Sequence, residues 1–431
     1  MPAKVTRTED HGRVTPVLDR AYAEELDRAD KLAGFRDRFV LPDPELRYLD
    51  GNSLGRLPRS TVNRLAHVVT EEWGRGLIRS WPSWIEQSRR VGDLVGVLIG
   101  AGPGEVVVSD STTVNLYKLA AAALAARPDR STVLSSADEF PTDRYVLQGL
   151  CAAGGLTLRD APADLDTGVS LAAVREALDP SVALVVLSQV AYRSGALADL
   201  RGITAAAHEV GALVLWDLSH SGGSVPVGLA DAGVDLAVGC TYKYLNGGPG
   251  APAYLYVATG LQAELRQPIQ GWFGAADQFA MGPSYVPAAG IDRFLVGTPP
   301  VLGLAAVEEG VSMLAEAGIE RLRDKGVALT SLLVALADRW LAPLGFRLAS
   351  PRAPELRGSH VCLEHPEAWQ VCQALLDRGV VPDYRTPSRL RLGPAPISTR
   401  FVDVYDALAV VRDVVSTGAH RAYPAVPARV T

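Results

Sequence analysis

The sequence predicts an α/β protein: a large domain with a mostly parallel sheet covered by helices, then a smaller C-terminal α+β domain. Three observations carry that prediction. Short apolar runs alternate with helical patterns between residues 85 and 300, the pattern of βαβ units. Val182 to Leu187 is apolar throughout, as a strand buried on both faces must be. At Pro300 the pattern changes to two long helical stretches that run to about Leu341 and then to shorter elements.

In chain order, the first dozen residues are polar and read as frayed. They hold no apolar core of the secretory type, so the start does not read as a signal peptide. Arg59 to Arg75 is helical. Val106 to Val108 is a strand, and Thr113 to Ala126 a helix with Ser111 or Thr112 as N-cap. Val133-Leu134 opens a strand, Val182 to Leu187 is the next, and Thr204 to Val210 is helical. Leu213 to Trp216, Leu236 to Val238 and Tyr254 to Val257 are strands. The apolar stripe of Leu302 to Leu314 reads as core. His360 to Leu363, Leu390 to Leu392 and Val402 to Val415 are the later elements, and the tail from His420 reads as frayed. The expected division is 1–84 as a segment packing with the small domain, 85–300 as the large domain and 301–431 as the small one.

Apolar residues make up 48% and charged residues 21%, which excludes wholesale disorder. Lys and Arg number 42 against 48 Asp and Glu, and a net charge of −6 argues against a nucleic-acid partner. The four cysteines stand far apart, which fits the reducing cytoplasm. Apolar stretches such as Leu119 to Ala126 are too short to span a bilayer, so no membrane is expected. The basic residues include only five lysines: Lys4, Lys31, Lys118, Lys243 and Lys325. Chemistry that needs a deprotonatable amine therefore has few candidates, because guanidinium stays protonated.

Asp217 ends one strand run, and Lys243 follows another strand and precedes the glycine-rich Asn246-Gly247-Gly248-Pro249-Gly250. Ligands of open α/β sheets bind at the C-terminal strand ends. There an acid can pair with a cationic ring nitrogen and a desolvated lysine can form a Schiff base. Together with a ring that stacks, these are the parts pyridoxal phosphate needs. Singly, each residue also reads as a helix cap or a loop lysine. Ser109 to Thr113 offers a helix N-terminus for a phosphate, or ordinary capping.

Other motifs compete. Gly51-Asn52-Ser53-Leu54-Gly55 matches the G-x-S-x-G elbow of serine hydrolases, but Arg56-Leu57-Pro58 replace the helix that should follow. Gly100-Ala101-Gly102-Pro103-Gly104 has the wrong spacing for a dinucleotide loop. His360, Cys362 and His365 lack a second cluster to complete a metal site, so no metal is expected.

The segments Leu49 to Gly55, Phe140 to Tyr145, Asp217 to His220, Tyr242 to Gly250, Gly271 to Gly274 and Gly297 to Pro300 together resemble the kynureninase family. These are pyridoxal-phosphate hydrolases of the aspartate-aminotransferase fold type. The resemblance runs from about Tyr48 to Tyr405. It implies cleavage of the Cβ–Cγ bond of L-kynurenine, 3-hydroxykynurenine or a ring-substituted analogue, giving anthranilate or its analogue and L-alanine. It implies that Lys243 binds the cofactor and moves the Cα proton, with Tyr242 as a proton relay. Asp217, with Asp143 nearby, would pair with the ring nitrogen, and Phe140 and His220 would flank the ring. Thr112, Thr113, Ser188 and Tyr242 would line the phosphate and its surroundings. Trp272 and Thr298 would come from the partner subunit of a homodimer. Arg391 would hold the substrate α-carboxylate, with Ser53 and Trp73 near the aryl end. Strand alternation alone leaves Arg389 level with Arg391. Many members carry His after Gly-Trp-Phe-Gly where this chain has Ala275, which leaves the aryl preference open. A desulfurase, a β-lyase or a non-catalytic member is the alternative.

Overall fold

The computed structural model describes residues 18–425. Among them the main sheet has seven strands. Their spatial order is Val106–Val108, Tyr254–Val257, Leu236–Gly239, Leu213–Asp217, Val182–Ser188, Thr132–Ser136 and Thr157–Ala161. Tyr254–Val257 runs antiparallel to both its neighbours, and the remaining pairs are parallel. Every residue of Leu213–Asp217 and Leu236–Gly239 is buried. That is why these segments read as unbroken apolar runs and not as alternation.

Helices cover both faces, and their ends follow local chemistry. Thr112–Ala125 starts at Ser111, whose side chain accepts from the Val114 N–H. Pro141–Gly154 opens on a proline in its first turn and ends on left-handed Gly155. Leu200–Glu209 is capped by Asp199. The stretch expected from Arg59 to Arg75 is Arg59–His67 followed by a wider helical turn, Val68–Gly76.

A second sheet has four strands among the described residues, in the order Arg347–Leu348, Val361–Glu364, Arg389–Leu392 and Asp383–Arg385. Its core takes Leu363, Leu390 and Leu392 from the strands and Leu329, Leu333, Val404, Leu408 and Val411 from two flanking helices. Ala23 and Leu49 join this core, while Leu32 and Phe39 join the core under the main sheet. The chain before residue 60 thus bridges the two. The run Ile319–Leu344 is long and apolar enough by composition to cross a bilayer. Leu322, Leu329, Leu333 and Leu341 on it are buried within the protein.

The start of the C-terminal tail differs from expectation, and residues 426–431 lie outside the described ones. His420 is fully buried, with Nε2 2.9 Å from Glu367 Oε2 and Nδ1 3.1 Å from the Val414 carbonyl. A buried imidazole with two partners pins residues 419–422 onto the small sheet's helices, so the tail is docked through Ala422. The first dozen residues lie outside the described ones.

Candidate active site

The C-terminal ends of the parallel strands open into a cleft of about 630 Å³. Asp217 is the last residue of its strand and pairs in register with Ser188, the last of the next. Lys243 and Tyr242 follow Leu236–Gly239. Thr112 and Thr113 sit in the first turn of their helix, Phe140 and Asp143 at the start of the next. All of these except Ser188 line the cleft, together with His220 and Thr298.

Lys243 Nζ lies 3.2 Å from His220 Nε2 and 5.8 Å from the centre of the Phe140 ring. Burial, and then the charge of Lys243, push the His220 pKa well below 6.5, so the imidazole facing the amine is neutral. Burial raises the Tyr242 pKa, which keeps its hydroxyl protonated.

The inner end of the cleft is acidic. Asp143 is pushed well above 3.8 by burial, then by the charges of Asp217 and Glu139. Glu139 is pushed up to about 7 by burial, although it accepts from the Phe140 and Ser188 N–H groups at 2.9 and 2.7 Å and from the Ser188 hydroxyl. Asp143 Oδ2 is buried and finds no hydrogen-bond partner among the described residues. Three carboxylates packed this closely call for a cation between them. At the opposite end, the open N–H groups of the Thr112–Ala125 helix call for an anion. A pyridinium carrying a phosphate, with Phe140 against its ring and Lys243 within reach of its aldehyde, fits both demands.

A second polar cluster lies on the small sheet. Arg391 is buried and donates from Nη1 to the Tyr192 carbonyl at 2.8 Å, and from Nη2 to Ser53 Oγ at 2.9 Å and to Asp383. With its amide oxygen turned to the guanidinium, Asn52 accepts from Nε at 2.8 Å. Arg385 also pairs with Asp383, at 2.8 Å. Asp50 is pushed up to about 6 by burial and then by Asp383. Arg389 points elsewhere: it donates to the Leu165 carbonyl at 2.6 Å and to Asp166 at 2.5 Å.

Gly55 explains the glycine pattern that mimicked a hydrolase elbow. A Cβ there would sit 2.3 Å from the Lys243 carbonyl oxygen, so the loop needs glycine to pack on the lysine segment. Ser53 faces Arg391. Trp73 lies outside the cleft lining, in an adjoining apolar groove with Trp84 and Leu302 that shares Pro300 and Gly303 with the cleft. Trp272 stacks on Trp81, with ring centres 6.1 Å apart, and does not line this chain's cleft, whereas Thr298 does. His360, Cys362 and His365 have three different neighbours: the His220 ring, the Arg193 carbonyl and the Phe346 ring. The sequence reading missed Glu139, Asp383, Arg385, Asn52 and Asp50. Asp383 and Arg385 were within reach of it, because a hairpin partner of Leu390 to Leu392 must place alternate residues beside Arg391.

Fold and cleft together define a class, the pyridoxal-phosphate enzymes of fold type I. The family model described as aminotransferase class-V matches residues 47–363. Among solved structures, an apo cysteine desulfurase from Thermococcus onnurineus NA1 has a TM-score of 0.79 at 18% identity, covering 89% of this chain and 98% of that one. A C-DES variant with glycine covalently linked to its PLP cofactor has a TM-score of 0.78 at 19% identity, covering 88% and 99%. These likenesses establish the fold.

Within that class, the chain belongs to the kynureninase family. The model of the kynureninase C-terminal domain matches residues 322–411. The chain is 45% identical over 399 residues to a kynureninase of Pseudomonas fluorescens, covering 90% of this chain and 94% of that one. It is 45% identical over 413 residues to a kynureninase of Burkholderia pseudomallei, covering 94% and 97%.

Proposed function

We propose that this chain is a pyridoxal-phosphate-dependent hydrolase that cleaves the Cβ–Cγ bond of L-kynurenine, or of its 3-hydroxy or another ring-substituted form. The products are anthranilate, or its analogue, and L-alanine. The observation that carries the reading is the buried Asp143–Asp217–Glu139 cluster at the cleft that Lys243 lines, within a chain of this family.

Bound pyridoxal phosphate supplies an aldehyde for the substrate amine and an electron sink for charge formed beside it. Lys243 holds the cofactor and moves the Cα proton. Asp217, backed by Asp143, keeps the ring nitrogen protonated, and Phe140 and His220 flank the ring. Thr112 and Thr113 hold the phosphate with the helix N–H groups, Ser188 and Tyr242 standing nearby. Arg391 orients the α-carboxylate so that the Cα–H bond stands across the ring. Ser53, already on the Arg391 guanidinium, and Trp73 serve the aryl end. Water adds to the γ-carbonyl carbon, the Cβ–Cγ bond breaks, and the protonated Tyr242 hydroxyl relays a proton to Cβ.

The enzyme works in the cytoplasm as a homodimer, binding neither nucleic acid nor membrane. The buried, unpaired cysteines fit that compartment. Exposed Trp73, Leu77, Ile78 and Trp272 favour a covered face. There Trp272 reaches the cofactor of a second copy, with Thr298 at the shared rim.

The test is a panel of L-kynurenine, 3-hydroxykynurenine, ring-substituted analogues and L-cysteine, with products identified by mass spectrometry. Equal amounts of an anthranilate and alanine are expected. Sulfide from cysteine with no anthranilate overturns the reading. Light scattering that finds a fully active monomer overturns the dimer.

A further inference from the structure

Lys118 is one of the chain's five lysines and belongs to no part of the mechanism above. Its side chain is entirely buried on the Thr112–Ala125 helix. Nζ lies 2.7 Å from Asp110 Oδ2 and 2.8 Å from the Phe294 carbonyl oxygen. Both partners bear on the phosphate end of the cleft. Asp110 lines it, two residues before the helix begins, in the left-handed conformation at φ 51°. Phe294 stands at the root of the segment that carries Thr298 and Pro300 to the cleft wall.

Asp110 sets a physical problem. Its negative charge belongs to a residue that lines the cleft beside the helix N-terminus, where a dianion would be received, and like charges repel. A left-handed non-glycine residue also stays in place only when its surroundings hold it there. We propose that Lys118 is the positioning residue of the phosphate site, acting by neutralising Asp110 beside the helix start. The inference rests on the cleft taking pyridoxal phosphate. It concerns affinity for the phosphate and not the chemical step, because Lys118 is sealed from the cleft. An ammonium suits the task better than a guanidinium: it is a compact charge that serves a carboxylate and a carbonyl from one atom.

The test titrates each apo-protein with pyridoxal phosphate by absorbance, at low and high salt, and records the apo-protein's melting temperature. Lys118→Met is expected to raise the dissociation constant about tenfold or more, and salt should narrow the gap by screening the freed carboxylate. Asp110→Asn with Lys118→Met is expected to bind within about threefold of the parent, because the repulsion is gone. Asp110→Asn alone, which leaves Lys118 its hydrogen-bond acceptor and an extra positive charge, should bind at least as tightly as the parent. If Lys118→Met does not fold, the other two variants decide. Weakened binding in Asp110→Asn, or a double variant whose dissociation constant stays about tenfold or more above the parent's, overturns the proposal. So does a Lys118→Met protein that binds like the parent. A parent protein that binds no pyridoxal phosphate overturns the functional reading instead.

Discussion

Two buried polar clusters, one at the cleft and one on the small sheet, are built on opposite principles. At the strand ends of the main sheet, Asp143, Asp217 and Glu139 crowd together with an orphaned carboxylate oxygen. On the small sheet, Arg391 already has Asp383, Ser53, Asn52 and the Tyr192 carbonyl as partners. A ligand entering the first cluster adds a missing partner. A carboxylate arriving at the second must share a guanidinium that is already engaged. The first is a receptor held under electrostatic strain, and the second is a rigid, pre-oriented donor. Affinity should come mainly from the first and orientation from the second.

The largest effect that separates them is removal of the amine. Lys243→Ala should lower kcat by about 10⁴-fold or more, because the covalent anchor and the base are lost together. Borohydride reduction followed by peptide mapping should label Lys243 in the parent and no lysine in the variant. A label on another lysine breaks the assignment.

Arg391→Ala comes next. Losing a charge-assisted carboxylate contact should cost about 2–4 kcal/mol, or roughly 30- to 1000-fold in kcat/KM. Cofactor loading should stay near the parent's, because Arg391 belongs to the other cluster. Arg389→Ala should leave kcat/KM largely unchanged, since Arg389 is committed to Asp166 and Leu165. The reverse pattern would break the comparison at its second half.

The same contrast explains what was legible in the sequence. The main-sheet strands are short, apolar and β-branched, so periodicity alone located Val182 to Leu187 and Leu213 to Trp216. Asp217 and Lys243 could be placed because strand ends define the cleft of such a sheet. Arg391 was harder, because alternation puts Arg389 on the same face. Only the partners, Asp166 for one and Asp383 for the other, tell them apart. Glu139 left no signal, since its role depends on Ser188 arriving from 49 residues away. The tail at His420 misled because polar composition hides a buried ring whose partner, Glu367, lies 53 residues upstream.

Cofactor binding should change the pH dependence of one cluster only. Glu139 in the folded apo-protein titrates near 7 in place of 4.5, and Asp143 is raised as well. The folded state then holds protons that the unfolded chain has lost. Apo stability therefore falls as pH rises from the unfolded value through about 7. A cation between the carboxylates removes that slope. The stabilisation gained on adding pyridoxal phosphate should grow by about 1–3 kcal/mol between about pH 5 and pH 8. Chemical denaturation of the apo and loaded forms across that range measures it. A gain that stays flat with pH would show that the ring nitrogen does not meet these acids.

The smallest effect probes the one unsatisfied acceptor in the second cluster. Asp50 Oδ1 is buried and finds no hydrogen-bond partner among the described residues, and burial followed by repulsion from Asp383 raises its pKa from 3.8 to about 6. The folded state binds this proton between those two values, so Asp50 lowers stability as pH climbs through that window. Above it, a carboxylate is held in the protein interior beside Asp383. Asp50→Asn keeps the size and shape of the side chain and removes the charge. It should therefore stabilise the protein at neutral pH, by about 1–2 kcal/mol once some lost attraction to Arg391 and Arg385 is counted. At a pH below the unfolded value of 3.8 the variant and parent should differ little in stability, because both side chains are then neutral. The gain should be the same with and without pyridoxal phosphate, since Asp50 belongs to the cluster that the cofactor does not complete. Urea titrations of both forms at neutral and acid pH decide it. A gain that appears only in the apo-protein would merge the two clusters into one electrostatic unit and end the comparison.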